Sequence, residues 1–457
     1  MAKTEIKKLR DFPAIEELLQ SPALQTAISE VPRPIAAEIV KQETAAAKEQ
    51  VKAGQELTLS QLHRTIERAL AAMKRAEITR VINATGIVIH TNLGRAPLPM
   101  ELFDEVKKAV TGYGNIEFDL HRGVRGKRGI ACEKYLASLA GAEAACVVNN
   151  NAAALLLILN SLANRREVVV SRGELVQIGG GFRIPDIMRR SGARLCEVGT
   201  TNITNAKDYL NEINERTALI LKVHKSNFIQ AGFTEEADLS ELVRIGREHG
   251  VAVVNDLGSG VLISTRELIG YDEPSVQNSV RAGADLTCFS GDKMLGGVQA
   301  GLIVGRTELV NKIKRNPLFR TVRVDKIIYS MLEKLFTIYL NGRHDEEIKL
   351  WAKVKVPESE LYKRGKAVLA ELGNPPGLSV EATDAFMGGG SLPESAIPSV
   401  GIVFSPDYNA TGLIRKLREQ PTPIIGRIQD NRLVLDIKTV DLEDLPILTQ
   451  AIRTILK

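Results

Sequence analysis

One lysine stands apart from the other candidate chemical groups by its setting. The stretch Leu286–Gly301 reads Leu-Thr-Cys-Phe-Ser-Gly-Asp-Lys-Met-Leu-Gly-Gly-Val-Gln-Ala-Gly. Leu286 to Phe289 is an apolar run of strand type, and it breaks into a polar, glycine-bearing turn that holds Lys293. Buried parallel strands are apolar on both faces, and ligands bind just outside their carboxyl ends. A lysine there could carry an imine to a carbonyl-bearing ligand, if its pKa is pulled below the free value of about 10.4. Ser290, three residues earlier, offers a hydroxyl to an anionic group. A surface turn with a solvated lysine has the same spacing, so Ser-x-x-Lys decides nothing by itself.

The elements that would position Lys293 supply further polar residues, each at the end of an expected strand. Ala145 to Val148 runs into Asn149-Asn150-Asn151-Ala152, which opens a helix to about Leu162. Strand, polar turn and helix start form an anion site by geometry, because the first helical N–H groups are unpaired and the dipole is positive there. Val168 to Val170 ends at Ser171-Arg172-Gly173-Glu174, and a Gly179-Gly180-Gly181 loop follows. Arg194 to Val198 leads to Gly199-Thr200-Thr201-Asn202, and Ala218 to Val223 to His224-Lys225-Ser226-Asn227. Val251 to Asn255 ends at Asp256, and Gly301 to Val304 is a last strand. Strands alternating with helices predict an α/β fold with a mostly parallel sheet covered on both faces. Asn150, Glu174, His224, Asp256 and Lys293 then line one sheet edge, a convergence that outweighs any single motif.

Other stretches carry cations. Arg80 to Arg95 starts as an extended run and ends in a polar loop whose Arg95 has the geometry to bind an anion. Arg122 to Arg128 packs four cations between glycines, either a solvated loop or a phosphate-facing one. Arg320 and Arg323 are three apart and share a face if helical.

The flanking regions predict two more domains. Residues 1–75 read as helices, with Ile35 to Val51 and Ser60 to Lys74 the longest and a break at Gly54. Eight Lys/Arg against nine Asp/Glu over residues 1–60 make this segment no basic arm. It suits an oligomerisation or capping domain, or recognition of a structured RNA by shape. Residues 76–330 hold the α/β pattern. After a helix from Lys326 to Leu340 and a linker with Gly342 to Glu347, residues 331–457 read as a small α+β domain. It has strands at Leu378–Ala382 and Val400–Phe404, a Gly388–Gly390 loop between them, and a hairpin turned at Asp430-Asn431.

Composition sets the frame. With 457 residues, 44% hydrophobic and 25% charged, the chain has the make-up of a soluble globular protein. A net charge of +5 and a pI near 8.9 are compatible with a nucleic-acid partner without demanding one. The four cysteines are widely spaced, which argues against a zinc ribbon or disulfide scaffold; no metal is expected, and a reducing cytoplasm is. The segment from Met1 to Leu19 is charged throughout, without a signal-peptide core, and Ala152 to Leu159 is too short to span a bilayer. No membrane association is expected.

Taken together, Val81–Arg95, Val147–Ala154, Val170–Asp186, Glu197–Asn202, Lys222–Asn227, Asp256–Gly260, Phe289–Arg306 and Pro317–Lys326, with Gly388–Pro393 and Pro423–Asp436, resemble the bacterial selenocysteine synthase family, the L-seryl-tRNA(Sec) selenium transferases. The resemblance runs nearly the full length. It implies a fold-type-I pyridoxal phosphate enzyme with Lys293 as the Schiff-base lysine. Asp256 would pair with the pyridine N–H. Backbone groups of Asn150, Asn151 or Ala152, with Ser290, would hold the phosphate. His224, Arg172 or Glu174 would contact the ring or its hydroxyl, a choice left open here. Arg95, Arg320 and Arg323 match positions that bind the selenium-donor anion, selenophosphate. The implied reaction is β-elimination of water from seryl-tRNA(Sec) and addition of selenium, for selenocysteine biosynthesis. The N-terminal domain would recognise the selenocysteine tRNA, in a cytoplasmic homo-oligomer that is a decameric ring of dimers with active sites between subunits. Departures from the pattern are Lys225 for threonine, Val298 for proline, a loosely similar Leu120–Glu133 stretch, and Trp351 in place of a proline- and leucine-rich motif.

Two rival readings share parts of this sequence. A pyridoxal phosphate lyase of the same scaffold, acting on a small amino acid or amino sugar, needs Lys293 and Asp256 but not the N-terminal domain or the three arginines. A non-catalytic tRNA-binding protein does not need Lys293.

Overall fold

The valine- and leucine-rich runs pair into one seven-stranded sheet in the computed structural model, which describes residues 5–178, 181–225, 228–389 and 391–457. Gly179, Gly180, Ser226, Asn227 and Gly390, all in expected loops, lie outside the described residues. The strand order is Arg194–Val198, Glu167–Ser171, Thr217–Val223, Ala252–Gly258, Leu286–Ser290, Gly301–Gly305, Ala144–Val148. Gly301–Gly305 runs antiparallel to both neighbours, and the other pairings are parallel. The exception has a simple cause. A parallel return needs a crossover of a dozen or more residues, usually helical, and the turn after Ser290 is shorter and contains no helix.

Alternate residues of these strands enter different cores, as a sheet covered on both faces requires. Val147, Phe289, Leu302 and Val304 pack with Leu332, Phe336 and Trp351. Cys146, Cys288, Leu286 and Ile303 pack with Leu155 and Leu159 of the Asn151–Ala163 helix. All four cysteines are free thiols.

The chain forms two compact units, Met1–Arg80 and Val81–Lys457. In the first, the Arg33–Lys52 and Leu59–Arg75 helices bury Val40, Leu62, Ile66 and Leu70 with Leu18 and Leu24. Pro34 sits in the first turn, where its missing N–H costs nothing. Thr58 and Gln61 cap each other's backbone at the start of the second helix.

In the second unit the sequence order misleads in two places. Ile87–Ile89 leaves the α/β region and joins a five-stranded sheet with Leu378–Gly388, Ser391–Phe404, Arg432–Asp436 and Arg427–Gln429. Ile82–Asn83 likewise pairs with Ile424–Ile425. Residues 82–89, expected with the α/β region, thus pair with strands that follow residue 378. The hairpin strands are also far longer than Leu378–Ala382 and Val400–Phe404. The expected linker at 342–347 contains a short helix, His344–Glu347, followed by Lys349–Lys355. The two-residue turn at Asp430-Asn431 has both residues at positive φ, 49° and 59°, as a tight hairpin demands. Among the described residues no helix is long and apolar enough to cross a membrane.

Candidate active site

The parallel strands all end at one sheet edge, and a cleft of about 290 Å³ opens there. It is lined by Asn150, Asn151 and Ala152 from one helix start and by His224, Asp256 and Ser290 in or just after three neighbouring strands. Asp292, Lys293 and Arg95 complete the wall.

The helix start is built by local sequence. Asn150 is the N-cap, its side-chain oxygen accepting from the Ala153 N–H at 2.9 Å. That bond leaves the first N–H groups, those of Asn151 and Ala152, at the cleft wall. Gly301 passes so close that only glycine fits. A methyl group on it would meet the Asn150 carbonyl oxygen at 2.1 Å.

Asp256 and Lys293 are both buried, 6% and 7% exposed. Asp256 lies inside its strand, which continues to Gly258. Its carboxylate accepts from the Asn151 side-chain amide at 2.8 Å. Burial pushes the Asp256 carboxyl above the usual range, and the Asn151 amide, the Lys293 charge, the Cys288 thiol and the Gly258 N–H oppose that rise. Burial pushes the Lys293 amine below the ordinary lysine value. The Asp256 charge opposes this, and Arg95 adds to it. The Lys293 turn is closed by the Gly296 N–H donating to the Lys293 carbonyl at 2.9 Å, and the Met294 N–H donates to the Ser259 carbonyl at 3.0 Å. The Tyr339 hydroxyl donates to the Leu295 carbonyl at 2.8 Å, and the Trp351 indole N–H donates to Tyr339 at 3.0 Å.

Arg95 stands at the end of its loop with φ of 68° and pairs with Asp292. The other Asp292 carboxylate oxygen is buried without a hydrogen-bond partner, as is the Asn151 side-chain oxygen. Two acceptors left open in one cleft fit a bound group that brings donors or displaces water. His224 donates its backbone N–H to the Asp256 carbonyl at 2.9 Å, and its ring nitrogen Nε2 lies 3.2 Å from Glu273.

Of the three residues left open for the ring contact, His224 alone lines the cleft. Arg172 is turned to Glu197 at 3.1 Å and to the Gly199 carbonyl at 3.0 Å. Glu174 is buried beneath the strand end, where it accepts from Lys222 at 2.8 Å and from the Val223 N–H at 2.7 Å. Lys225 extends this network to Glu236 and Gln230. Arg320 and Arg323 do not share a helix, because Pro317–Thr321 ends before Arg323. Neither lines the cleft with Arg95. Arg323 bridges to Val148 through its backbone, and its guanidinium lies 3.7 Å from Glu117, which also pairs with Arg125 and Arg128. Thus two cations of the basic loop meet a carboxylate. Asp292 and Gln299 line the cleft and Glu273 supports it through His224; none carried a separate sequence signal, although Asp292 directly precedes Lys293.

Comparison with known proteins gives a consistent picture. The family model described as L-seryl-tRNA selenium transferase matches residues 81–441. L-seryl-tRNA(Sec) selenium transferase of Aquifex aeolicus is 44% identical over 395 residues, covering 86% of this chain and 87% of that protein. The protein of the same name from Geotalea daltonii is 42% identical over 458 residues, covering 98% and 99%. Among solved structures, a D-glucosaminate-6-phosphate ammonia-lyase superposes with a TM-score of 0.60 at 18% identity, over 83% of this chain and 96% of that one. At that identity the likeness speaks for the fold alone.

Proposed function

The chain belongs to the L-seryl-tRNA selenium transferase family, and we propose that the Lys293 cleft is its catalytic centre. The protein is a fold-type-I, pyridoxal phosphate-dependent enzyme that converts L-seryl-tRNA(Sec) to L-selenocysteinyl-tRNA(Sec). The observation that carries the site assignment is the buried Lys293 and Asp256 in one cleft with a free helix N-terminus.

The residues present fit the cofactor. Bound, it supplies an electron sink for the Cα–H and Cβ–O bonds of the seryl group. Lys293, its pKa lowered by burial, keeps more neutral amine at neutral pH than a free lysine and so serves as nucleophile and then as base at Cα. Asp256, held by Asn151, would pair with the pyridine N–H. The Asn151 and Ala152 N–H groups and the Ser290 hydroxyl would hold the phosphate. His224 would wall the ring. Arg95, paired with Asp292 at the cleft wall, would meet the selenium donor, which we take to be selenophosphate. A trianion suits guanidinium groups better than ammonium groups.

Arg320 and Arg323 are proposed to join Arg95 only in an assembly, a ring of dimers with sites between subunits. Their place off the cleft wall of one chain supports that reading. The first unit is proposed to bind the tRNA, and residues 331–457, with the strands at 82–89, to form a smaller part beside the large α/β part. A cytoplasmic location follows from the substrate. The test is conversion of seryl-tRNA(Sec) with selenophosphate against seryl-tRNA(Ser) as control. Equal turnover of both would sink the substrate assignment, and loss of turnover in Arg95→Ala but not in Arg320→Ala or Arg323→Ala would sink the three-arginine grip.

A further inference from the structure

His224 occupies an unusual place. The residue lines the Lys293 cleft and also a second cavity of about 410 Å³, walled by Lys222, Glu236, Asn255, Ser275 and Ser279. It therefore stands between two spaces. A side chain with open space beside it turns about χ1 unless something holds its tip.

Glu273 is that something. Its side chain is 1% exposed, against 26% for His224, and it meets Nε2 at 3.2 Å. A carboxylate oxygen accepts, so the contact is the one Nε2–H of the imidazole makes to Glu273. The backbone that carries this carboxylate is itself anchored. The Glu273 N–H donates to the Thr265 hydroxyl at 2.8 Å, and that hydroxyl donates to the Tyr271 carbonyl at 2.7 Å. Thr265 is fully buried. At the other end, the His224 backbone is tied to the Asp256 carbonyl at 2.9 Å. The ring is thus fixed at root and tip, relative to the strand that carries Asp256.

We propose that Glu273 is a positioning residue that pins the His224 imidazole, through Nε2–H, as the fixed wall of the cleft against which the pyridoxal phosphate ring packs. The inference rests on the reading of the Lys293 cleft as the cofactor site. Without the pin the ring swings toward the second cavity, and the two spaces merge.

The test is a titration of the cofactor-free full chain with pyridoxal phosphate, read by quenching of the single tryptophan. Saturable binding to the native chain is the condition for the site reading; its absence ends that reading and this inference with it, whereas native binding that the variants leave unchanged ends this inference alone. Glu273→Ala is expected to weaken binding about three- to tenfold, the span of one aromatic contact. Glu273→Gln keeps an oxygen that accepts from Nε2–H and is expected to restore native affinity. His224→Ala is expected to lose as much as Glu273→Ala, and the double variant no more than His224→Ala alone. If Glu273→Ala does not fold, Thr265→Val, which loosens the anchor outside the cleft, is expected to show a smaller loss that also vanishes in the His224→Ala background. Native affinity in Glu273→Ala, or in Thr265→Val where Glu273→Ala does not fold, additive losses in the double variants, or failure of Glu273→Gln to rescue overturns the proposal.

Discussion

Replacing Gly301 by alanine tests the phosphate site through a residue that does not itself line the cleft. A methyl group at Gly301 would lie 2.1 Å from the Asn150 carbonyl oxygen, 2.4 Å from its carbon and 2.9 Å from the Asn151 nitrogen. All three are backbone atoms, so no rotamer change relieves the clash. Reaching an ordinary contact of 3.4 Å requires more than an ångström of movement at the helix start. That movement is resisted, because the Asn149 N–H is bonded to the Val322 carbonyl at 2.8 Å and Asn150 caps Ala153. Overpacking of this kind costs about 1–3 kcal/mol. If the displaced Asn151 and Ala152 N–H groups hold the cofactor phosphate, affinity for pyridoxal phosphate falls about tenfold or more, since about 1.4 kcal/mol is a factor of ten. The assay is a spectroscopic titration of cofactor-free protein, with circular dichroism to confirm an intact fold. Gly114→Ala is the control, because its methyl group would meet only the Ala109 carbonyl at 3.5 Å. Native affinity in Gly301→Ala would show that the phosphate sits elsewhere.

Three further outcomes follow from the same geometry. Lys293→Ala is expected to abolish the visible absorbance of lysine-linked cofactor, and an unchanged band in purified protein would refute the lysine assignment. Cofactor-free Lys293→Met is expected to melt higher than the native chain. Because the folded pKa of Lys293 is depressed, the unfolded chain holds more protons between that value and about 10.4, so native stability rises with pH there and the gain in the variant shrinks toward pH 10. A gain that grows with pH would contradict the sign. Removing Met1–Arg80 is expected to lower tRNA affinity about tenfold or more while sparing cofactor binding; equal tRNA affinity in a filter-binding assay would count against the first unit as the tRNA domain.

The site was legible where chemistry and local pattern coincide. Lys293, Asp256, His224 and the Asn150 cap all sit where an apolar run gives way to polar residues, and each reached the cleft. Arg172 and Glu174 carry the same local pattern but face Glu197 and Lys222, because side-chain direction at a strand end depends on which neighbours pair with it. Glu273 had no signal, since its meaning comes from a contact 49 residues away in sequence. The long hairpin was half visible. Pro393 and Pro398 punctuate its inner half, and proline ordinarily demotes a strand. Arg320 and Arg323 look like helical neighbours, yet the helix closes at Val322 and separates them.

The strands at 82–89 have a consequence for how the chain is made. The Arg427 guanidinium donates to the Thr85 carbonyl across 342 positions of sequence, and Ile82–Asn83 pairs with Ile424–Ile425. At a synthesis rate of about 5–20 residues per second, those partners reach the Ile82 region roughly 20–70 seconds after it emerges from the ribosome. The first unit closes on contacts of its own and is free to fold early. The β-strand that follows it must wait, with its hydrogen-bonding edge open, for nearly the whole of translation. Vectorial synthesis therefore makes 82–89 a late segment to settle and one exposed to wrong pairing on the way.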